Sequence, residues 1–323
     1  MDTTLPGIWR FRHALGLPAE APQVYLGEGN TPLIWAKVLG KDIAFKLEFL
    51  NPTGSFKDRG SAALVSFLLS RGVKTAVEDS SGNAGASYAA YAARAGIRAQ
   101  VFVPDYASGP KRRQIEAYGA QVVRIPGPRS NTSEAVLRAV ESGEIYASHA
   151  YMPFCLPGYA TAAYEIFEQL GQAPGAVICP VGQGNLLLSI GRGFQALKKA
   201  GLVDRLPVLI GVQALACAPV WALWRYGPTG LGWVAEGETL AEGVRVKYPL
   251  RGDALLRTVE ESGGMFFAVA EEDIPLGADQ LARLGLYVEP TSAIVWNALQ
   301  QVVEQMPGPL VVMLTGSGLK YQG

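Results

Sequence analysis

Two rhythms of apolar positions run along most of the chain, and from residue 43 they alternate. Residues 43–49 place Ile43, Phe45 and Leu47 at every second position, which predicts a strand. Residues 61–71 then predict a helix. Further strands are predicted at 74–78, 98–103 and 121–125, interleaved with helices at 84–94, 111–118 and 133–141. Pro126-Gly127-Pro128 interrupts the pattern near the end of this first set. It resumes with a helix at 158–170 and a wholly apolar run at 176–181, the signature of a strand buried in a parallel sheet. A helix at 184–197, a strand at 208–213 and a Trp-rich helix at 218–226 follow. Residues 227–250 are rich in Gly and Pro and are expected to be an irregular, mobile or substrate-covering segment. The chain closes with a strand at 265–269, helices at 271–284 and 292–304, and a strand at 310–315. Residues 1–42 are expected to be irregular.

Strand–loop–helix repetition argues for parallel βα units, hence an α/β fold with two lobes. In such sheets ligands are expected where strand ends meet helix starts. No internal repeat and no low-complexity tract is present.

Composition narrows the function classes. The chain has 323 residues with 28 Lys plus Arg and 28 Asp plus Glu, so its formal charge of zero draws it neither to nucleic acid nor to an anionic membrane. No apolar run reaches membrane-spanning length, and the first residues lack the basic-then-apolar order of a signal peptide. Cys155, Cys179 and Cys217 are far apart and odd in number, which suggests a reducing cytoplasm and no metal site. With only His13 and His149 there is little material for zinc or for a Ser-His-Asp triad.

The stretch Asn51-Pro52-Thr53-Gly54-Ser55-Phe56-Lys57-Asp58-Arg59-Gly60 joins the first predicted strand to the first predicted helix. Ser55 is expected to cap the helix, with Asp58 completing a capping box. Lys57 then lies in the first turn, where the positive end of the helix dipole favours a neutral nitrogen. A neutral lysine nitrogen is what attack on a carbonyl requires. Most lysines are solvated surface groups, so the turn alone does not decide the matter.

Three more strand-to-helix loops have chemical potential. In Pro180-Val181-Gly182-Gln183-Gly184-Asn185-Leu186, glycines allow close backbone approach and the helix start offers amides to an anion. Gly182, Gly184 and Asp204 partly mimic a dinucleotide fingerprint, but Leu187 is too bulky for its third glycine position. Ser80-Ser81-Gly82-Asn83-Ala84-Gly85 is either an ordinary polar turn or a carboxylate-holding helix start. Thr315, in Leu314-Thr315-Gly316-Ser317-Gly318, sits at a strand end.

The stretch around Lys57 resembles the cofactor-lysine segment of threonine synthases and related enzymes that use pyridoxal 5'-phosphate (PLP) on the fold of the tryptophan synthase β subunit. The phrase Leu26-Gly27-Glu28-Gly29-Asn30-Thr31-Pro32-Leu33 and the phrase Glu289-Pro290-Thr291-Ser292 resemble other segments of that family. The resemblance implies a two-lobed fold-type II PLP architecture, each lobe a mostly parallel sheet flanked by helices. It places a smaller lobe at 48–145, and a larger one at 1–47 and 146–323. It further implies that Lys57 carries PLP as a Schiff base and that Gly182, Gln183, Gly184, Asn185 and Leu186 hold the cofactor phosphate. Gln183 stands where the family's usual residue is Asn. Asn83 is implied to bond the phenolic oxygen of PLP. Ser80, Ser81 and Gly82 are implied to hold the substrate carboxylate with it, and Thr315 to meet the pyridine nitrogen. A hydroxyl there makes the cofactor a weaker electron sink than a carboxylate would, which suits elimination and replacement. Glu289 is expected to cap the next helix and has a lesser claim to the cofactor.

The expected protein is therefore a cytoplasmic, homodimeric PLP-dependent lyase or synthase acting at the β or γ carbon of a small amino acid, with Lys57 as general base. A threonine synthase acts on O-phosphohomoserine, and part of the family's substrate-phosphate pocket is an Asn-Ser pair and an Arg just before the helix at 158. This chain reads His149-Ala150 there and Cys155 at the arginine position, and Ala84 follows the loop asparagine. Fewer donors disfavour a phosphate dianion, although His149, Lys111, Arg112 and Arg245 are candidate cations. The remaining alternatives are a threonine synthase proper, a serine or threonine ammonia-lyase, and a ligand-binding protein without catalysis.

Overall fold

A computed structural model describes residues 2–107, 109–127 and 129–321 of the protein. In chain order, the hairpin β1 (Leu33–Val38) and β2 (Lys41–Lys46) comes first. There follow α1 (Lys57–Ser70), β3 (Thr75–Glu78), α2 (Asn83–Ala95), β4 (Arg98–Pro104), α3 (Pro110–Ala117), β5 (Gln121–Ile125) and α4 (Arg129–Glu141). Next are α5 (Cys155–Leu170), β6 (Ala176–Pro180), α6 (Asn185–Lys199), β7 (Val208–Ala214) and α7 (Pro219–Tyr226). The last are α8 (Gly252–Glu261), β8 (Met265–Val269), α9 (Asp273–Arg283), α10 (Pro290–Ala293), α11 (Val295–Val302) and β9 (Leu310–Met313). Pro128, part of the expected break, lies outside the described residues. No described helix is long and apolar enough to cross a membrane.

The chain divides into two units, Met1–Asn30 with Leu50–Tyr159 and Lys320–Gly323, and Thr31–Phe49 with Ala160–Leu319. The first is built on the parallel sheet β3-β4-β5. Helices α1 and α2 pack together. The alanines of α2 make that approach close, and Gly96 ends the helix in the left-handed conformation, φ 69°. Residues up to Asn30 were expected with the larger lobe, but they cluster here for a physical reason. Val24 donates its N–H to Ser66 Oγ on α1 at 3.0 Å. Buried Glu28 accepts from Tyr91 Oη on α2 at 2.7 Å and from Trp9 Nε1 at 3.0 Å. Burial raises the Glu28 pKa.

The second unit is built on the sheet β1-β2-β9-β6-β7-β8, parallel throughout except for β1 against β2. β6 is central and buried at every position, as its unbroken apolar run predicts. Its core joins Ile178, Ile210 and Val312 of the sheet to Ile274, Val295 and Leu299 of the covering helices. Strand β1 corrects the expectation of irregular structure before residue 43. Its inward positions are Ile34, Ala36 and Val38, while Trp35 and Lys37 face outward. The connecting turn puts Leu39 and Gly40 at positive φ, 50° and 79°. A leucine is an uncommon residue for that conformation, and it hid the hairpin.

Candidate active-site residues

Lys57 is the first residue of α1, so it lies in the first turn as expected. The cap is different from the expected one. Phe56 occupies the cap position without a side-chain bond. The buried Ser55 hydroxyl has no hydrogen-bond partner among the described residues. Asp58 instead turns back on the preceding loop, accepting from Thr53 N–H at 2.7 Å and Thr53 Oγ1 at 2.6 Å. Lys320 Nζ donates to Thr53 O at 2.7 Å, and Asn51 Oδ1 accepts from Gly29 N–H at 3.0 Å. The loop before the lysine is thus held by side chains on several sides. Burial raises the Asp58 pKa, against the lowering effect of its bonds to Ser87 and Thr53.

Asn83 opens α2, behind the loop Ser80–Ser81–Gly82. Ser80 Oγ accepts from Gly82 N–H at 3.2 Å, which closes the loop on itself. Gly85 is needed for close approach, because a Cβ there would collide with Ser80 O. The first unit therefore carries Lys57, Ser80, Ser81, Gly82 and Asn83 at two helix starts. It also carries a group that the sequence did not single out. Glu78, fully buried at the end of β3, lies 2.6 Å from His149 Nδ1 through Oε1, and its Oε2 accepts the His149 N–H at 3.3 Å. Burial raises the Glu78 pKa, and the neighbouring imidazole opposes the rise. Asp79 beside it accepts from Tyr146 Oη at 2.7 Å and pairs with Arg129 Nη2 at 2.8 Å. Two acids at a strand end show no periodicity, so pattern reading passes over them.

In the second unit, Gly182–Gln183–Gly184 joins β6 to α6. Gly184 has φ 76° and caps the helix, and a Cβ on it would collide with Leu255 Cδ2. Leu186 and Leu187 stand in the first turn, whose amides have no intrahelical acceptor. The Gln183 side chain is engaged elsewhere, since its Oε1 accepts the Leu250 N–H at 3.1 Å. Thr315 follows β9, buried to 2 % exposure. Ser292 Oγ lies 2.9 Å from Thr315 Oγ1, and 2.9 Å from the backbone nitrogens of both Thr315 and Gly316. The buried Glu289 caps α10 through its backbone and packs its carboxylate against Gly316, where a Cβ would collide with it. Among the described residues no group of three His, Cys, Asp or Glu could hold a metal ion.

Residues 24–316 match the pyridoxal-phosphate dependent enzyme family. The chain is 37 % identical over 321 residues to a threonine synthase of Synechocystis sp., covering 96 % of this chain and 82 % of that one. A threonine synthase of Methanocaldococcus jannaschii is 34 % identical over 327 residues, covering 97 % and 80 %. Among solved structures, the T.th. threonine deaminase superposes with a TM-score of 0.77 at 28 % identity, covering 91 % of this chain and 94 % of that one. Maize serine racemase shares the fold, with a TM-score of 0.78 at 21 % identity, covering 97 % and 94 %.

PLP carries a phosphate, a phenolic oxygen, a pyridine nitrogen and an aldehyde carbon, and the residues present fit each. A left-handed glycine ahead of a long helix suits the phosphate. Asn83 offers an amide, Thr315 a buried hydroxyl, and Lys57 an amine at a helix start, two residues from an orphaned buried hydroxyl on Ser55. The family match and the sequence relatives show that the chain belongs to the pyridoxal-phosphate dependent enzymes, in their threonine synthase-like branch, with PLP as its cofactor.

Proposed function

We propose that this protein eliminates or replaces a substituent at the β or γ carbon of a small amino acid whose side chain bears no phosphate. The observation that carries this reading is the buried Glu78 carboxylate bonded to His149. The resemblance puts His149 in the segment that faces a substrate phosphate in threonine synthases. The Glu78 carboxyl occupies one of the two ring nitrogens of His149 and so leaves fewer donors for a substrate phosphate. Cys155, at the position of the family's arginine, is a buried thiol.

In this reading Lys57 holds the cofactor, and once released as an amine it takes the substrate α-proton. Bound PLP supplies the electron withdrawal that makes that proton acidic. The Ser80–Gly82 loop and the start of α2 hold the substrate carboxylate, and Asn83 bonds the phenolic oxygen. Residues 182–186 hold the cofactor phosphate through backbone amides, with Gln183 retained for the contact to Leu250. Thr315 faces the pyridine nitrogen.

A second reading, a threonine synthase acting on O-phosphohomoserine, is favoured by the names of the sequence relatives. Steady-state assays with O-phosphohomoserine beside serine, threonine and O-acetylated analogues separate the two. Turnover of a phosphate-free substrate is expected. Efficient phosphate release with threonine formed overturns the proposal in favour of the second reading.

A further inference from the structure

We propose that His149 is the acid that protonates the departing oxygen of the substrate, with Glu78 as the positioning residue that holds its ring. The substrate is then a small β-hydroxy amino acid, and the group lost is water. The inference deepens the proposed function and rests on it, through the placement of the substrate at the Ser80–Gly82 loop.

Backbone pairing within the first unit brings the pair to that loop. Residues 145–147 run parallel to β3 around a bridge between Val77 and Tyr146. Val77 N–H donates to Ile145 O and Ala147 N–H to Val77 O, each at 2.8 Å. The segment therefore reaches the carboxyl end of β3, the end at which parallel sheets bind ligands. There Ser148 Oγ accepts the N–H groups of Ala150 and Tyr151, both at 3.2 Å, and bends the chain. His149, at the bend, lies against Glu78, which precedes Ser80 by two residues. The Glu78 side chain is 1 % exposed and that of His149 22 %, so the carboxyl is sealed while the ring can be reached.

The 2.6 Å contact between Nδ1 and Oε1 holds one proton, because two lone pairs repel at that distance. The second proton of the pair is carried on Nε2, and that is the one a substrate can take. Giving it up leaves one net negative charge on a largely buried pair, a cost that only a strongly basic acceptor repays. Asp79, the other acid at this strand end, is paired with Arg129 at 2.8 Å and takes a bond from Tyr146 Oη at 2.7 Å. The phenols of Tyr88, Tyr146 and Tyr159 around the pair stay protonated, because burial raises their pKa values.

Hydroxide is a base of the required strength, since water has a pKa of about 15.7. Acetate and phosphate depart as stable anions and need no proton. In the proposed step Lys57 takes the α-proton, and the freed electron pair forms the Cα–Cβ double bond. The Cβ–O bond breaks with its pair on oxygen, Nε2 gives that oxygen a proton, and water leaves. Lys57 then holds one proton more and His149 one fewer, and exchange with solvent restores both. One donor nitrogen matches one departing oxygen, where a phosphate asks for several donors.

Steady-state rates are measured on the PLP-loaded protein with serine, threonine and O-acetylserine. Wild type should turn over serine or threonine. His149→Gln should lower kcat with these hydroxy amino acids roughly 10²–10⁴-fold, the effect of losing a general acid, and far less with O-acetylserine. Glu78→Ala should show the same split, and Glu78→Gln, which keeps an acceptor for Nδ1–H, should recover most of the loss. A residue that only supports the fold lowers both kinds of turnover alike, so equal losses overturn the inference. A second readout needs no turnover. The proton between Nδ1 and Oε1 should give a far-downfield line in the proton NMR spectrum of the holoprotein, and His13 is the only other histidine. The line should vanish in His149→Gln, and its absence from wild type overturns the pairing. Wild type that turns over O-acetylserine but neither serine nor threonine overturns the inference and leaves the proposed function standing. Phosphate release from O-phosphohomoserine with threonine formed overturns both.

Discussion

Ser87, one turn into α2, donates its hydroxyl proton to Asp58 Oδ1 across 2.6 Å. Asp58 is the second residue of α1, directly after Lys57, and Asn83 is the first residue of α2. One buried bond therefore sets the start of the lysine helix against the start of the asparagine helix. Removing it by Ser87→Ala should cost about 1–2 kcal/mol of stability. Asp58→Ala strands three donors at once and should cost about 3 kcal/mol or more. Urea titration of the apoprotein measures both. Equal effects from the two variants would show that Asp58 is not the hub.

Lys57→Ala should abolish covalent attachment of PLP while leaving the fold intact, because the side chain is only half-buried. Borohydride reduction of wild type should fix the cofactor to the peptide that contains Lys57. Loss of the general base should lower the rate roughly 10²–10⁴-fold or more. Label on another lysine in wild type would contradict the assignment.

Gly184 and Gln183 are adjacent, and their variants should behave in opposite ways. Gly184→Val places a branched side chain at φ 76° and against Leu255. It should lower stability and weaken PLP binding together, so the thermal shift on adding PLP shrinks. Gln183→Ala should leave PLP affinity nearly unchanged and release the Leu250 N–H. Faster proteolytic cleavage within residues 227–250 is the readout for that release.

Asp79 and Arg129 give a pH signature. Burial alone would raise the Asp79 pKa, but the Arg129 guanidinium and the bonds from Tyr146 and Arg129 outweigh it and hold the pKa below the ordinary value. A carboxylate lowered on folding stabilises the protein above its unfolded pKa, and that contribution is lost as pH falls through the folded value. Arg129→Ala should therefore be less stable than wild type at neutral pH, with the difference closing in acid. The size should be at most about 1 kcal/mol, because Arg129 is partly solvated. A difference that persists below the folded pKa of Asp79 would point to lost packing rather than to charge.

Much of this architecture is legible from pattern alone because parallel βα units repeat a strong signal. The apolar run of β6 and the alanines of α2 could hardly be read otherwise. Lys57, the proposed cofactor lysine, was legible as a helix start, but the support of its loop was not. Asp58 sits at the right offset for a capping box, and only the folded chain shows it reaching back to Thr53 rather than serving Ser55. Strand β1 was hidden by Leu39, whose side chain gives no hint of a left-handed turn. Helix α8 was missed because it directly follows a Gly- and Pro-rich segment, although Leu255, Thr258 and Val259 mark its buried face. Glu78 and His149 are far apart in sequence and meet only through the tertiary fold.

The position of β9 governs how the second unit can assemble as the chain is made. Ile43–Lys46 pairs with Leu310–Met313, and the same strand β9 pairs with β6 on its other side. Strands β1 and β2 are thus synthesised well before β9, the strand that joins them to the rest of the sheet. Contacts of such long range form slowly, because the loop must close before the pairing repays it. The wait leaves β2 and β6 each with an open backbone edge able to pair with the wrong chain. A nascent protein halted before residue 310 should accordingly aggregate through the second unit, while the sheet β3-β4-β5, whose strands are consecutive in the chain, is already complete.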